Sequence, residues 1–360
     1  MGQSVSSILP TFIVNFFSTM SSVFTTGIAN LAAALFGESD ELKTSRFFTY
    51  VLTGDFEELS ELIDSLSDDE LERLLHMQYP PEVDNGRTAL VFAVSDGHAE
   101  IVALLLEKGA DTQGTSLVTI GFTTMNVLPL WLAVLHGHLE VCRHLITHGA
   151  NVNGGTDSGE TPLLRACYRN RLDIVVLLVE SGADIEFVDV DGYTALMTAS
   201  ICGEVDTVRY LLSNGARTDH TDNTGAAFAL MCAVERGHLE VCRLLLAADA
   251  DVNQASSDGY TPLMYACFLG LSDIVIFLIE NDANIELTDA DGTTALMLAS
   301  KSRRVDIVQY LLLIGARTDR RDNRGKTATD LAVENGNADI ADILYAFAEQ
   351  MNPNAHNEPS

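Results

Sequence analysis

Two apolar stripes alternate along most of the chain. Leu163, Ala166 and Cys167 fall at i, i+3 and i+4, and after a short turn Ile174, Val175, Leu177 and Leu178 form a second stripe. Each is the one-sided pattern of a short amphipathic helix. The pair recurs in register: Gly159, Gly192 and Gly225 stand 33 residues apart, and Gly259, Gly292 and Gly325 continue the series after one 34-residue step. Backwards, Asn126 lies 33 residues before Gly159 and Gly86 another 40 before that, so eight units result.

One unit can be read from local chemistry. The stretch before Thr161 is a tight turn, the Thr161 hydroxyl caps a helix, Pro162 takes the first helical position, and Gly182 supplies the left-handed residue that ends the second helix. Two helices of about ten residues cannot bury a core alone, so stability must come from stacking on neighbours.

The period and its landmarks, Gly86-Arg-Thr-Ala-Leu, Gly192-Tyr-Thr-Ala-Leu-Met, Gly259-Tyr-Thr-Pro-Leu-Met and Gly292-Thr-Thr-Ala-Leu-Met, resemble the ankyrin repeat over roughly residues 84–347. The resemblance implies an all-α ankyrin-repeat solenoid of about eight helix-turn-helix repeats, with a concave face made by the turns and first helices. Leu164, Met197, Met231, Met264 and Met297 stand where the family often has a bonding His, so packing is expected to replace polar ties there. Asp249, Asp282 and Arg303 stand where glycine is expected; at about 1 kcal/mol each, they mark repeats five to seven as the softer part.

The flanks differ. Residues 38–83 predict two or three more helices, around Phe47 to Leu52, Glu57 to Leu66 and Asp69 to Gln78, and 14 acids between Glu38 and Asp84 face only Lys43, Arg46 and Arg73. A helical cap with a polar face is the leading reading; an acidic docking surface is the other. Residues 348–360 read as a disordered tail.

Charge and composition narrow the partners. The net charge is −30 with 47% hydrophobic residues, which excludes a disordered chain and argues against nucleic acid, whose phosphates require neutralising cations. The six cysteines form no C-x-x-C pair and no N-x-S/T acceptor occurs, as expected of a cytoplasmic protein. No nucleophile elbow, His-Glu-x-x-His pair or Gly-x-Gly-x-x-Gly loop is present, so no catalytic residue, metal or cofactor is expected. His136, His138, His144 and His148 cluster around Cys142, but His138 belongs to a Gly-His-Leu-Glu turn that recurs at Gly237.

Aligned first helices place Leu132 and Leu135, Arg165 and Tyr168, Thr198 and Ile201, Cys232 and Glu235, Tyr265 and Phe268, and Leu298 and Lys301 in two columns on the concave side. This apolar and aromatic strip with interspersed charge is a candidate groove for a protein or peptide; half-burial by curvature is the alternative. Arg169 extends it. Eight basic residues crowd between Lys301 and Lys326, and Arg320, Arg321 and Arg324 are candidates for an acidic partner, or for internal neutralisation of the acidic stretch before them.

The long finger between Thr112 and Asn126, followed by Leu128-Pro-Leu-Trp131, the Thr161-Pro-Leu-Leu-Arg-Ala-Cys helix and Gly192-Tyr-Thr-Ala-Leu-Met, resembles the feminization (Fem) family over about residues 45–255. The resemblance implies a substrate-recognition subunit of a cullin-RING ubiquitin ligase that captures C-terminal degrons, with cullin-ligase components as partners. Two of that family's acidic gripping positions correspond here to Ile120 and Arg169, and Tyr168 keeps the adjacent aromatic, so a peptide other than an Arg-ended one is expected.

Residues 1–37 carry no charged residue and read as an amphipathic leader with Leu9, Phe12, Ile13, Phe16 and Phe17 on one face and Ser, Thr and Asn on the other. Met1-Gly2-Gln3-Ser4-Val5-Ser6 fits N-myristoylation at Gly2. A lipid and an interfacial helix together would make a stable membrane anchor; a transmembrane span and a helix packed on the first repeat are the alternatives. The expectation is a non-enzymatic interaction scaffold, cytoplasmic and recruitable to membranes.

Overall fold

The computed structural model describes residues 39–79, 87–120 and 123–351. Among these are 19 helices and one two-stranded sheet, in two compact units that meet at Ala183 and Asp184. In the first unit, α1 (Asp40–Thr53), α2 (Phe56–Ser65) and α3 (Asp68–His76) precede three helical pairs. These are α4 (Ala89–Asp96) with α5 (Ala99–Glu107), α6 (Pro129–His136) with α7 (Leu139–Thr147), and α8 (Pro162–Tyr168) with α9 (Leu172–Glu180). The second unit holds five pairs: α10 (Ala195–Cys202) and α11 (Val205–Ser213), α12 (Ala229–Glu235) and α13 (Leu239–Ala247), α14 (Pro262–Leu269) and α15 (Ser272–Glu280), α16 (Ala295–Lys301) and α17 (Val305–Leu313), and α18 (Ala328–Glu334) and α19 (Ala338–Met351).

Each pair is built as its sequence dictates. The Thr161 hydroxyl accepts the Leu164 N–H at 3.3 Å, and Thr88, Thr194, Thr261, Thr294 and Thr327 cap their helices in the same way. The buried methionines do more than pack. The sulfurs of Met264 and Met297 accept the backbone N–H of Thr261 and Thr294 at 3.5 Å, so part of the polar tie is restored within the repeat. Within each unit first helices stack on first helices, with α4 against α6, α6 against α8, and α10, α12, α14, α16 and α18 in series.

At four turns a side chain reaches back to hydrogen-bond the preceding repeat. His138 Nε2 donates to the Ser95 carbonyl at 3.2 Å, His238 to Ile201 at 3.0 Å, Arg304 Nε to Phe268 at 3.2 Å, and Asn337 Nδ2 to Ser300 at 2.8 Å. These side chains lie over the preceding turn residue. A Cβ on Gly97 would come within 2.6 Å of His138, and one on Gly203 within 2.6 Å of His238, so both the left-handed φ and the missing side chain are needed there. Arg303 adopts φ 56° without glycine, and the residue reaching back toward it is the short Asn337. Asp249 (φ 61°) and Asp282 (φ 66°) are left-handed as expected, and so is Asn170 (φ 52°), which the landmarks alone did not mark.

Three boundaries depart from the expected ones. The long finger is an antiparallel β-hairpin, β1 (Ser116–Ile120) against β2 (Thr123–Val127), with Ser116 opposite Val127 and Ile120 opposite Thr123. Ser116, Val118 and Val127 are buried and alternate with more open neighbours, the period of a half-covered strand. Asn126, expected at a turn, therefore lies in β2, where its side-chain amide reaches Asp157 at 3.5 Å. At the C-terminal end α19 runs on to Met351, past the expected start of the tail. At the other end α1 and α2 form a further helical pair on α4 and α5, turning at the left-handed Gly54 beneath His98. Lys43 of α1 meets Glu70 of α3 at 2.9 Å. The Ser67 backbone N–H, Lys43 and the Ser67 hydroxyl hold the Glu70 carboxyl down to about 2.

Candidate functional site

In the first unit the candidate residues gather on α6 and α8. Pro129 and Pro162 start these helices and turn the same face outward. Trp131, fully buried, forms the floor. The Arg165 guanidinium lies 4.8 Å from the Trp131 ring and 5.5 Å from the Tyr168 ring, and Glu160 fixes it at 2.5 Å. Arg165 Nε and Trp131 Nε1 are buried donors with no hydrogen-bond partner. Tyr168 is 58% exposed and Arg169 is open beside it. His136 stacks on His138 at 5.9 Å, and burial lowers its pKa, helped by the positive charges of His138, Arg87 and Arg169 and opposed by Asp96.

Other residues of the predicted strip are placed differently. Leu132 is 1% exposed and offers no surface; Cys232 and Leu298, in the same column, are buried as well. Stacking brings neighbouring first helices together there, so only a long or polar side chain such as Arg165 reaches out. Leu135 and Ile201 are half-buried, and Ile201 contributes its carbonyl to His238. In the second unit Tyr265 is half-buried with its ring 6.1 Å from that of Tyr260, and Phe268 is 45% exposed.

The basic cluster is largely spoken for. Arg320 pairs with Glu286 at 3.4 Å, Arg324 with Asp322 at 3.2 Å, and Arg321 donates to the Gly325 carbonyl at 2.7 Å. Arg303 and Arg317 meet Asp339 and Asp319, and Lys326 meets Glu334. Most of this charge is paired internally, but of these residues only Arg320 meets the acidic stretch before it, as the plainer sequence reading expected; the other partners lie within the basic segment or after it. Gly2, residues 1–37 and the side chain of Ile120 lie outside what is described.

A further regularity separates framework from face. Residues 131–230 and 231–330 align at a fixed offset of 100, and about half the positions are identical, including His138-Leu-Glu-Val-Cys-Arg143 with His238 to Arg243 and Gly215-Ala-Arg-Thr-Asp219 with Gly315 to Asp319. Even the exceptions recur: Leu128 and Phe228, 100 apart, are the two first-helix caps without a side-chain bond. The outward first-helix positions break the rule. Leu135, His136, Arg165, Tyr168, Arg169, Thr198, Ile201 and Cys202 all differ from their counterparts, whereas of the buried positions Ala133, Val134, Ala166, Cys167, Ala199 and Ser200 are retained and Trp131, Leu132 and Leu164 are not. Open positions elsewhere are mixed: Glu140, Arg143, Arg217 and Asp219 are retained, and Thr147, His148, Asp157 and Arg209 are not.

Stacked helical pairs with a constant frame and a changing face define a repeat scaffold of the kind that binds other proteins. The chain belongs to the ankyrin-repeat family: a family model described as ankyrin repeats (3 copies) matches residues 54–156, 130–222, 216–289 and 281–357. Such repeats form a protein-interaction scaffold. The chain is 38% identical over 79 residues to a Drosophila melanogaster fem-1 homolog. It is 37% identical over 76 residues to human ankyrin repeat and KH domain-containing protein 1, and 40% over 78 residues to a mouse B-cell lymphoma 3 protein homolog. These stretches cover 21%, 21% and 22% of this chain and 12%, 3% and 16% of the three relatives.

Proposed function

We propose that the chain is a non-enzymatic scaffold whose first-helix faces capture protein or peptide partners, and that residues 1–37, acylated at Gly2, recruit it to membranes. The observation that carries the binding reading is the divergence of every outward first-helix position between two stretches that otherwise agree at about half their positions. Open positions elsewhere are mixed, with Glu140, Arg143, Arg217 and Asp219 kept and Thr147, Asp157 and Arg209 changed, whereas on the first-helix faces no open position is kept.

The test is proximity labelling of partners by the full chain, by Tyr168→Ala and by Phe268→Ala, with Arg143→Ala as a second-helix control. Each face variant is expected to lose a distinct subset of partners and the control none; identical partner sets in all four would sink the reading. For the leader, Gly2→Ala is expected to move the protein from membrane to soluble fractions, and unchanged fractionation removes the lipid.

A second reading makes the chain a substrate receptor of a cullin-RING ubiquitin ligase. It rests on the stretch shared with the fem-1 homolog, together with the long finger and Pro-Leu-Trp that lead into α6. Copurification of a cullin and an adaptor supports it, and retained peptide binding without them counts against it.

A further inference from the structure

We propose that the face built on α6 and α8 is a carboxylate-binding site, occupied by an unstructured acidic peptide segment of a partner protein. This deepens the reading of first-helix faces as protein-binding surfaces and rests on it.

The cations on this face are not there for the fold. One hundred residues on, the same backbone positions carry Tyr265 and Leu269 where the first unit has Arg165 and Arg169, and Glu235 where it has Leu135; Arg171, which lies over Gly137 as Arg304 lies over Gly270, belongs instead to the frame. The α14 helix forms and packs with these residues as α8 does with its arginines. Arg165 and Arg169 stand beside the Arg171 guanidinium and are repelled by it, and a frame that can dispense with these two has kept them for another reason.

Their arrangement is that of a prepared acceptor site. Arg165 is held between two rings and by Glu160, so it loses little freedom when a ligand arrives. Glu160 neutralises Arg165, which leaves Arg169 as the charge on offer; among the described residues no acid pairs with it, and it stands beside the open ring of Tyr168. His136 of α6 lies near enough to feel the charge of Arg169, alongside the larger and opposite influence of Asp96. In a chain of net charge −30, a basic ligand has many acidic places to go, whereas an acidic segment finds a focused positive face here. A planar carboxylate matches the fork of an exposed guanidinium, and peptide apolar groups fit against Tyr168.

The control is built into the chain. Arg165→Tyr with Arg169→Leu installs the residues already accommodated at 265 and 269, so folding should survive. Binding to the full chain is followed by fluorescence anisotropy with four labelled Gly-Ser peptides. One carries Asp and Glu with an amidated end, one is neutral with a free C-terminal carboxylate, one is neutral and amidated, and one carries Lys and is amidated. The acidic peptide is expected to bind, the double variant to weaken it roughly 10- to 100-fold, and the second-helix control Arg143→Ala to leave it unchanged. Binding of the free-ended neutral peptide instead assigns the carboxylate to a chain terminus rather than to side chains, overturning the acidic-segment assignment. Preference for the Lys peptide, displacement by inorganic phosphate but not acetate, no binding of either carboxylate peptide at millimolar concentration, or an unchanged affinity in the double variant overturns the site. If the site fails while Tyr168→Ala and Phe268→Ala still alter the captured partners, the wider scaffold reading stands; if they do not, that reading fails as well.

Discussion

Residues 131–230 and 231–330 share one frame, and among their differences are the outward face of the first helices and the identity of the left-handed residues. The face difference separates binding from folding, because whatever one stretch does without, the frame does not need. The second difference separates conformational strain from packing. Gly149, Gly182 and Gly203 correspond to Asp249, Asp282 and Arg303, and in the opposite sense Asn170 corresponds to Gly270. One stretch has thus relaxed most of its turns and the other has not.

The sharpest way to break the comparison is through the core. Leu178 and Leu278 are both fully buried at corresponding positions. Replacing either with Ala should cost about 2–5 kcal/mol in urea unfolding, similarly for the two; a large inequality would show that the shared frame is not energetically shared. Next comes exchange at a turn. Gly203→Arg places a side chain where His238 already lies and in a left-handed φ, and should cost about 2 kcal/mol or more. The reverse change, Arg303→Gly, should gain about 1 kcal/mol, because the ion pair lost with Asp339 is exposed and contributes little. Asp249→Gly and Asp282→Gly should each gain up to about 1 kcal/mol. Neutral results there would mean the strain is already relieved.

Smaller is the effect of pH at His136, whose counterpart is the permanently charged Arg236. The folded ring protonates below its ordinary 6.5, so its contribution to stability is present above that value and lost as pH falls from there toward the folded pKa. A ring titration by NMR should find that lowered value, and His136→Arg should flatten this part of the stability profile. Smallest is thiol labelling. Cys142 and Cys242 correspond, and burial pushes both up to about 12, so in the native protein the half-buried Cys202, which Ser302 replaces in the other stretch, should be alkylated first.

Much of the fold was legible because ankyrin landmarks are local physics: a hydroxyl cap, a proline at the first helical turn, a left-handed glycine. The same locality explains the omissions. Asn170 tolerates the left-handed region nearly as well as glycine, so it left no gap in the pattern to notice. The strands of the finger are five residues each and pair with one another, with no long alternating run to betray them. Of the candidate face, the columns pointed to Arg165, Tyr168 and Phe268 and the Fem resemblance to Arg169, but nothing pointed to the clamp of Trp131 and Glu160 around Arg165, which depends on how side chains fold back. Leu132 was misplaced because a column in sequence cannot tell an outward Arg from an inward Leu. Arg320, Arg321 and Arg324 find partners in the neighbouring finger and in backbone carbonyls, which charge counts do not register.

The side chains that reach back from four of the turns give the array a grammatical order. His138, His238, Arg304 and Asn337 each complete a turn that precedes them, so a repeat is finished only once its successor has been written. A lesion at such a residue is therefore legible one repeat upstream of where it occurs, and any recombination of these modules must carry the opening of the next along with the last one kept.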